Sequence, residues 1–147
     1  MRIAVGSDHA GYEEPPPYFK PELMAHLQAK GHEVLDCGAH GPHSVDYPDF
    51  ANEVANAITE GRADAGLLLC GTGIGVAMAA NRHHGIRAAV VTTPDMARLS
   101  RQHNNANVLC LGSRVLQLDQ CKQLLDLWLD TPFDNGERHR RRIEKIN

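Results

Sequence analysis

Aromatic residues are scarce in this 147-residue chain, 5% of the total with a single Trp. No apolar run approaches the roughly 20 residues that a membrane-spanning helix needs. The chain opens on Met1-Arg2-Ile3-Ala4-Val5, which reads as a strand and not as a leader, so the cytoplasm is the expected compartment. There is no Cys-x-x-Cys pair. Cys37, Cys70, Cys110 and Cys121 show no metal-ligand spacing, and three of them fall in apolar, strand-like runs. That usage fits reduced thiols better than a disulfide framework or a structural zinc. Neither G-x-G-x-x-G nor Gly-Lys-Ser/Thr occurs, so no dinucleotide or Walker-type phosphate loop is indicated. Internal repeats and low-complexity segments are also lacking.

What remains is an ordinary globular composition, 42% hydrophobic and 22% charged, long enough for one self-sufficient domain over residues 1–147. The net charge of −3 is unevenly spread. From Glu137 to Asn147 five Lys/Arg face two acids, giving +3 and leaving −6 for the remainder. An acidic chain with a basic tail suggests a small anionic ligand. A nucleic-acid partner is disfavoured by the charge and the few aromatics.

The chain is organised around Leu67 to Arg82. A short apolar run ends at Cys70, glycines follow at Gly71, Gly73 and Gly75, and an Ala-rich segment continues through Ile74, Ala77 and Met78. The pattern predicts a buried strand, a tight turn and a helix. Glycines there bring backbone N–H groups and the positive end of a helix close to an anion. Such surroundings favour the thiolate of a neighbouring cysteine. A structural turn beside an inert buried Cys is the plainer alternative.

Taken in order, strands are expected at 2–6, 33–37, 67–70, 87–92 and 107–112. Asp8-His9 in the turn after the first could hold a sugar hydroxyl or phosphate, or Asp8 could simply cap a following helix. Pro15, Pro16 and Pro17 exclude regular helix over 12–20, with helix from Pro21 to the Gly31 stop. His40 and His43 stand in a Gly/Pro-rich loop and are not expected to bind metal. A helix beginning near Tyr47 should bury Phe50, Val54 and Ile58, and one beginning at Pro94 should turn Met96 and Leu99 inward. Leu118, Cys121, Leu125 and Trp128 mark the face of a long helix, and 137–146 form a last one.

Strands alternating with helices predict a three-layer α/β/α sandwich, Rossmann-like, around a five-stranded parallel sheet. Ligands gather at the carboxyl ends of such strands, where Asp8, His9, Cys70 and the three glycines fall. His103 precedes its strand and so belongs to the other edge. It can join Cys70 only from a symmetry-related chain; a polar helix end is the other explanation. Arg138 and Arg142 stand four apart, a spacing at which two guanidinium forks can grip one phosphate. A solvated basic face has the same pattern.

Asp8-His9-Ala10-Gly11, Asp46-Tyr47-Pro48, Cys70-Gly71-Thr72-Gly73-Ile74-Gly75 with Ala79-Ala80-Asn81, Ser100-Arg101-Gln102-His103-Asn104, and Arg138-His139 with Arg142 together resemble the ribose-5-phosphate isomerase B family, which includes allose- and galactose-6-phosphate isomerases. The resemblance spans Arg2 to about Ile146. It implies a metal-independent, cofactor-free aldose–ketose isomerase, a homodimer or dimer of dimers whose sites cross the subunit interface. It further implies Cys70 as the base between C1 and C2, Thr72 assisting at the reacting oxygens and His103 opening the ring. The backbone of Gly71, Gly73, Ile74 and Gly75 would hold the enediolate. Asp8, His9 and Asn104 would contact the sugar, Arg138 and Arg142 its phosphate, with Arg114 a further phosphate contact from the second subunit and Tyr47 a wall.

Two departures stand out. The triple-proline segment 12–20 looks like an insertion at the mouth of the site, and Glu137 stands where glycine is common. The expected reaction joins ribose 5-phosphate and ribulose 5-phosphate. A 6-phosphohexose isomerase and a non-catalytic sugar-phosphate binding module are the alternatives.

Overall fold

Short apolar runs with few polar interruptions are suited to strands buried on both faces, and five of them pair in parallel in the order β2-β1-β3-β5-β4. The computed structural model describes residues 1–147. Its strands are β1 (Arg2–Ser7), β2 (Glu33–Asp36), β3 (Ala65–Cys70), β4 (Ala88–Val90) and β5 (Val108–Gly112). The helices are α1 (Phe19–Ala29), α2 (Tyr47–Thr59), α3 (Ile74–Ala80), α4 (Pro94–Gln102), α5 (Leu118–Asp130) and α6 (Glu137–Ile146), with a 3-10 turn at His9–Tyr12. No helix is long and apolar enough to cross a membrane.

Strand alternation divides the core in two. Ile3, Val5, Leu67, Leu69, Leu109 and Leu111 point to the layer with α1 and α5. Ala4, Leu68, Cys70, Val108 and Cys110 point to the layer with α2 and α3. Cys70 therefore ends the central strand on the side from which α3 departs. Register places Gly112 directly opposite it.

Two expectations need correction. Helix α1 begins at Phe19, so Pro21 is its third residue; the first-turn N–H groups have no helical partner, and proline is tolerated there. Met96 and Leu99 do not turn inward but are 40% and 44% exposed. Ala97 and Ser100 are the buried residues of α4, since small side chains let the helix approach closely and leave the larger ones outside.

Lys20 is wholly buried. Its ammonium meets Asp36 Oδ1 at 2.5 Å and the Ala39 carbonyl at 2.6 Å, a carbonyl that also accepts the Tyr12 hydroxyl at 3.0 Å. Burial pushes the Asp36 carboxyl up, but hydrogen bonds from Lys20 and the Gly38 N–H outweigh it and hold the group below its ordinary value. Removing one member of such a pair leaves the other uncompensated. Lys20→Met should cost about 3 kcal/mol in denaturant unfolding at pH 7. Because the folded Asp36 value lies below the unfolded one of about 3.9, its contribution is full above about pH 5 and lost as pH falls through the folded value. The deficit of Lys20→Met should thus shrink in acid.

Candidate active site

Each glycine of the central turn is demanded by a different neighbour. Gly73 has φ +81°, in the left-handed region, and is the N-cap of α3. A Cβ on Gly75 would stand 2.7 Å from the Tyr47 ring, and one on Gly71 3.1 Å from Arg114 Cδ and Nη1. A fourth glycine was not singled out by the sequence. A Cβ on Gly112 would lie 2.6 Å from the Thr72 carbonyl carbon, so its absence lets the turn fold down onto the end of β5.

This tight turn aims the Gly73 N–H at Cys70 Sγ, 3.1 Å away, the kind of contact a thiolate accepts. Cys70 is 5% exposed. Thr72 Oγ1 accepts from the Ile74 N–H at 3.2 Å, which fixes the hydroxyl within the turn.

The rest of this edge comes from the ends of β1 and β5. Asp8, buried, accepts from the Ala10 N–H at 2.9 Å through Oδ1, so it does cap the 3-10 turn while standing at the site. The Val45 N–H donates to His9 Nδ1 at 3.3 Å, which leaves the proton of the neutral ring on Nε2. Ser113, absent from the expected set, ties the edge together: its hydroxyl donates to the Ala10 carbonyl at 2.9 Å and faces the Cys70 carbonyl at 3.4 Å. Arg114 corrects an expectation. It lies over Gly71 of its own chain, its N–H bonded to the Gly71 carbonyl at 2.9 Å, and so belongs to the same subunit as Cys70.

His103, Asn104, Arg138 and Arg142 are not brought to this edge. Helix α4 runs back across the sheet and ends at His103, before β5 begins. Strand β3 has six residues at about 3.3 Å each, which puts the two edges about 20 Å apart. At the far edge α6 docks under α4. The His103 ring stacks on His139, centroids 4.4 Å apart and planes 12° from parallel, and the Asp134 N–H donates to the Gln102 carbonyl at 3.2 Å.

His139 is the residue of this group that sequence reasoning left without a role. It is buried, and burial, with the charges of His103, Arg138 and Arg142 nearby, holds its imidazole below the ordinary histidine value; Asp134 opposes this. Its Nε2 accepts from Arg138 Nε at 3.4 Å, so one ring touches both a candidate acid–base group and a candidate phosphate ligand. Glu137 turns toward Arg141, 3.9 Å away, and leaves Arg138 to His139.

A thiol beside free-standing backbone N–H groups and a hydroxyl at one edge, with a histidine and two arginines at the other, is a set able to move a proton and to hold an anion. The comparisons agree. The family model described as Ribose/Galactose Isomerase matches residues 3–146, and the chain belongs to that family. It is 46% identical over 145 residues to ribose-5-phosphate isomerase B of Escherichia coli, covering 99% of this chain and 93% of that protein. Among solved structures, Clostridium thermocellum ribose-5-phosphate isomerase B superposes with a TM-score of 0.94 at 49% identity, over 99% of this chain and 95% of that one. The Trypanosoma brucei type B enzyme gives 0.92 at 39% identity, over 99% and 95%.

Proposed function

We propose that this chain, a type B ribose-5-phosphate isomerase by its relatives, interconverts ribose 5-phosphate and ribulose 5-phosphate at sites shared between two copies of itself. The observation that carries this is the division of the candidate residues between opposite sheet edges, each edge holding half of what the reaction needs. A two-fold dimer that sets the Cys70 edge of one chain against the His103 edge of another would complete two equivalent sites. Exposed Ile74 and Met78 on α3, with Met96 and Leu99 on α4, are apolar surface that a second copy would cover.

In the forward direction His103 helps open the furanose ring, and the Cys70 thiolate takes the proton from C2. Negative charge then spreads over O1 and O2, where N–H groups of the Gly71–Gly75 turn receive it, among which those of Gly71 and Gly75 are not already given to Cys70 Sγ or Thr72 Oγ1. Thr72 assists proton movement between the two oxygens, and Cys70 returns its proton to C1. No atom is gained or lost. Asp8, His9 and Asn104 hold the sugar, Tyr47 walls the site, and Arg138, Arg142 and Arg114 hold the phosphate, with α6 (137–146) the phosphate-binding part of the domain. The cytoplasm, where Cys70 stays reduced, is the compartment this chemistry favours.

The test is an assay with a chelator present throughout, following isomerisation of ribose 5-phosphate beside allose 6-phosphate and galactose 6-phosphate. Dominant turnover of the pentose is expected. Dominance of a hexose phosphate would reassign the substrate, and silence on all three would leave a sugar-phosphate binding module.

A further inference from the structure

The proline-rich segment carries two acids, and each has a distinct partner. Glu14 accepts the Tyr18 hydroxyl at 2.6 Å, and the Tyr18 ring stands 6.4 Å from that of Tyr12, which anchors the segment against the end of the 3-10 turn. Three prolines restrict the backbone between them. Glu13 reaches the other way, to Arg114: Nε lies 3.0 and 3.2 Å from its two carboxylate oxygens, and Nη2 also donates to Oε1. Glu13 thus takes the Nε–Nη2 edge of the guanidinium. The remaining nitrogen, Nη1, lies 3.1 Å from where a Gly71 Cβ would stand.

An exposed ion pair contributes little to folding stability, and Arg114, with 59% of its side chain exposed, would otherwise sample many rotamers. Its place over the glycine turn is what the pair secures. We propose that Glu13 is a positioning residue: its carboxylate holds Arg114 side-on so that Nη1 faces the Cys70-Gly71 turn, where an anionic group of the substrate arrives. This rests on the assignment of Arg114 as a phosphate contact. It gives the proline-rich segment a task, to carry a carboxylate to the mouth of the site on a stiff support. Glu13 and Arg114 also line a cavity of about 210 Å³ with Ala10, Pro15, Ser113 and Gln117, which leaves room beside the pair.

Glu13→Ala should raise KM for ribose 5-phosphate about 5-fold with kcat within about 2-fold, the expected effect of freeing one long side chain that binding must then order again. Glu13→Gln, which keeps one acceptor without the charge, should stay within about 2-fold of the parent on both parameters. Introduced into an Arg114→Ala background, Glu13→Ala should change nothing further. Neither variant should shift the melting temperature materially. An unchanged or lowered KM in Glu13→Ala would overturn the proposal, since a lowered one means that the carboxylate merely repels phosphate. So would an equal loss in the Arg114→Ala background. Failure of the isomerase assignment itself would appear in the parent protein as no turnover. Calorimetric binding of ribose 5-phosphate would then make the same comparison.

Discussion

Cys70→Ala is expected to slow interconversion of ribose 5-phosphate and ribulose 5-phosphate by about 1,000-fold or more while leaving the dissociation constant for the phosphorylated sugar within a few-fold. A positioned base typically supplies about 100- to 10,000-fold, and the base proposed here would carry the proton in both directions. No other thiol can take over. Cys110 lies on the same face of the sheet one strand away, but it is fully buried and burial, with the nearby Cys70, pushes its thiol far up. Burial likewise pushes Cys121 up to about 12 and Cys37 up to about 11. The substitution removes one small atom from a packed site, so the fold should survive. Near-normal melting with lost turnover is the signature of a chemical role, whereas turnover within tenfold of the parent would refute Cys70 as the base.

How far such a site is legible in the sequence depends on the kind of physics that fixes each part. The strand, turn and helix from Leu67 to Ala80 were readable because apolar run, alternating glycines and alanine-rich segment each dictate one local conformation. The edge to which His103 belongs was readable too, because chain direction in a parallel sheet decides it before any side chain is placed. Inward and outward faces of short helices were less so: Met96 and Leu99 have the spacing of a core stripe, yet α4 buries Ala97 and Ser100, and only the packing of the neighbouring helix decides between them. Long-range partnerships were not legible at all. Nothing local in Gly112 announces that the Thr72 carbonyl would rest on it, nor in Glu13 that it would meet Arg114 across 101 residues. The buried lysine at position 20 looks like any surface helix residue until Asp36 and Ala39 close around it.

The most decisive outcome concerns two inactive proteins that should rescue each other. Within one chain Cys70 and His103 lie at opposite sheet edges, about 20 Å apart on the length of β3, so a side chain from either cannot reach a sugar held by the other. In the proposed dimer Cys70→Ala would lack the base in both sites, and His103→Ala the ring-opening group in both, at a cost of about 100-fold or more. A hybrid dimer pairs the intact Cys70 edge of one chain with the intact His103 edge of the other, and puts both defects into its second site. Equal co-expression makes about half of the dimers hybrid, each with one good site, so activity should return to about a quarter of the parent at equal protein concentration. Arg138→Ala should behave like His103→Ala in this test, rescuing Cys70→Ala, because the His103–His139 stack and the Arg138–His139 contact keep all three on one edge. Arg114→Ala should not rescue Cys70→Ala, since Arg114 lies over Gly71 of its own chain. Activity no greater than the sum of the two parents would mean that each site is built from a single chain, and that His103 serves some purpose other than the chemistry at Cys70.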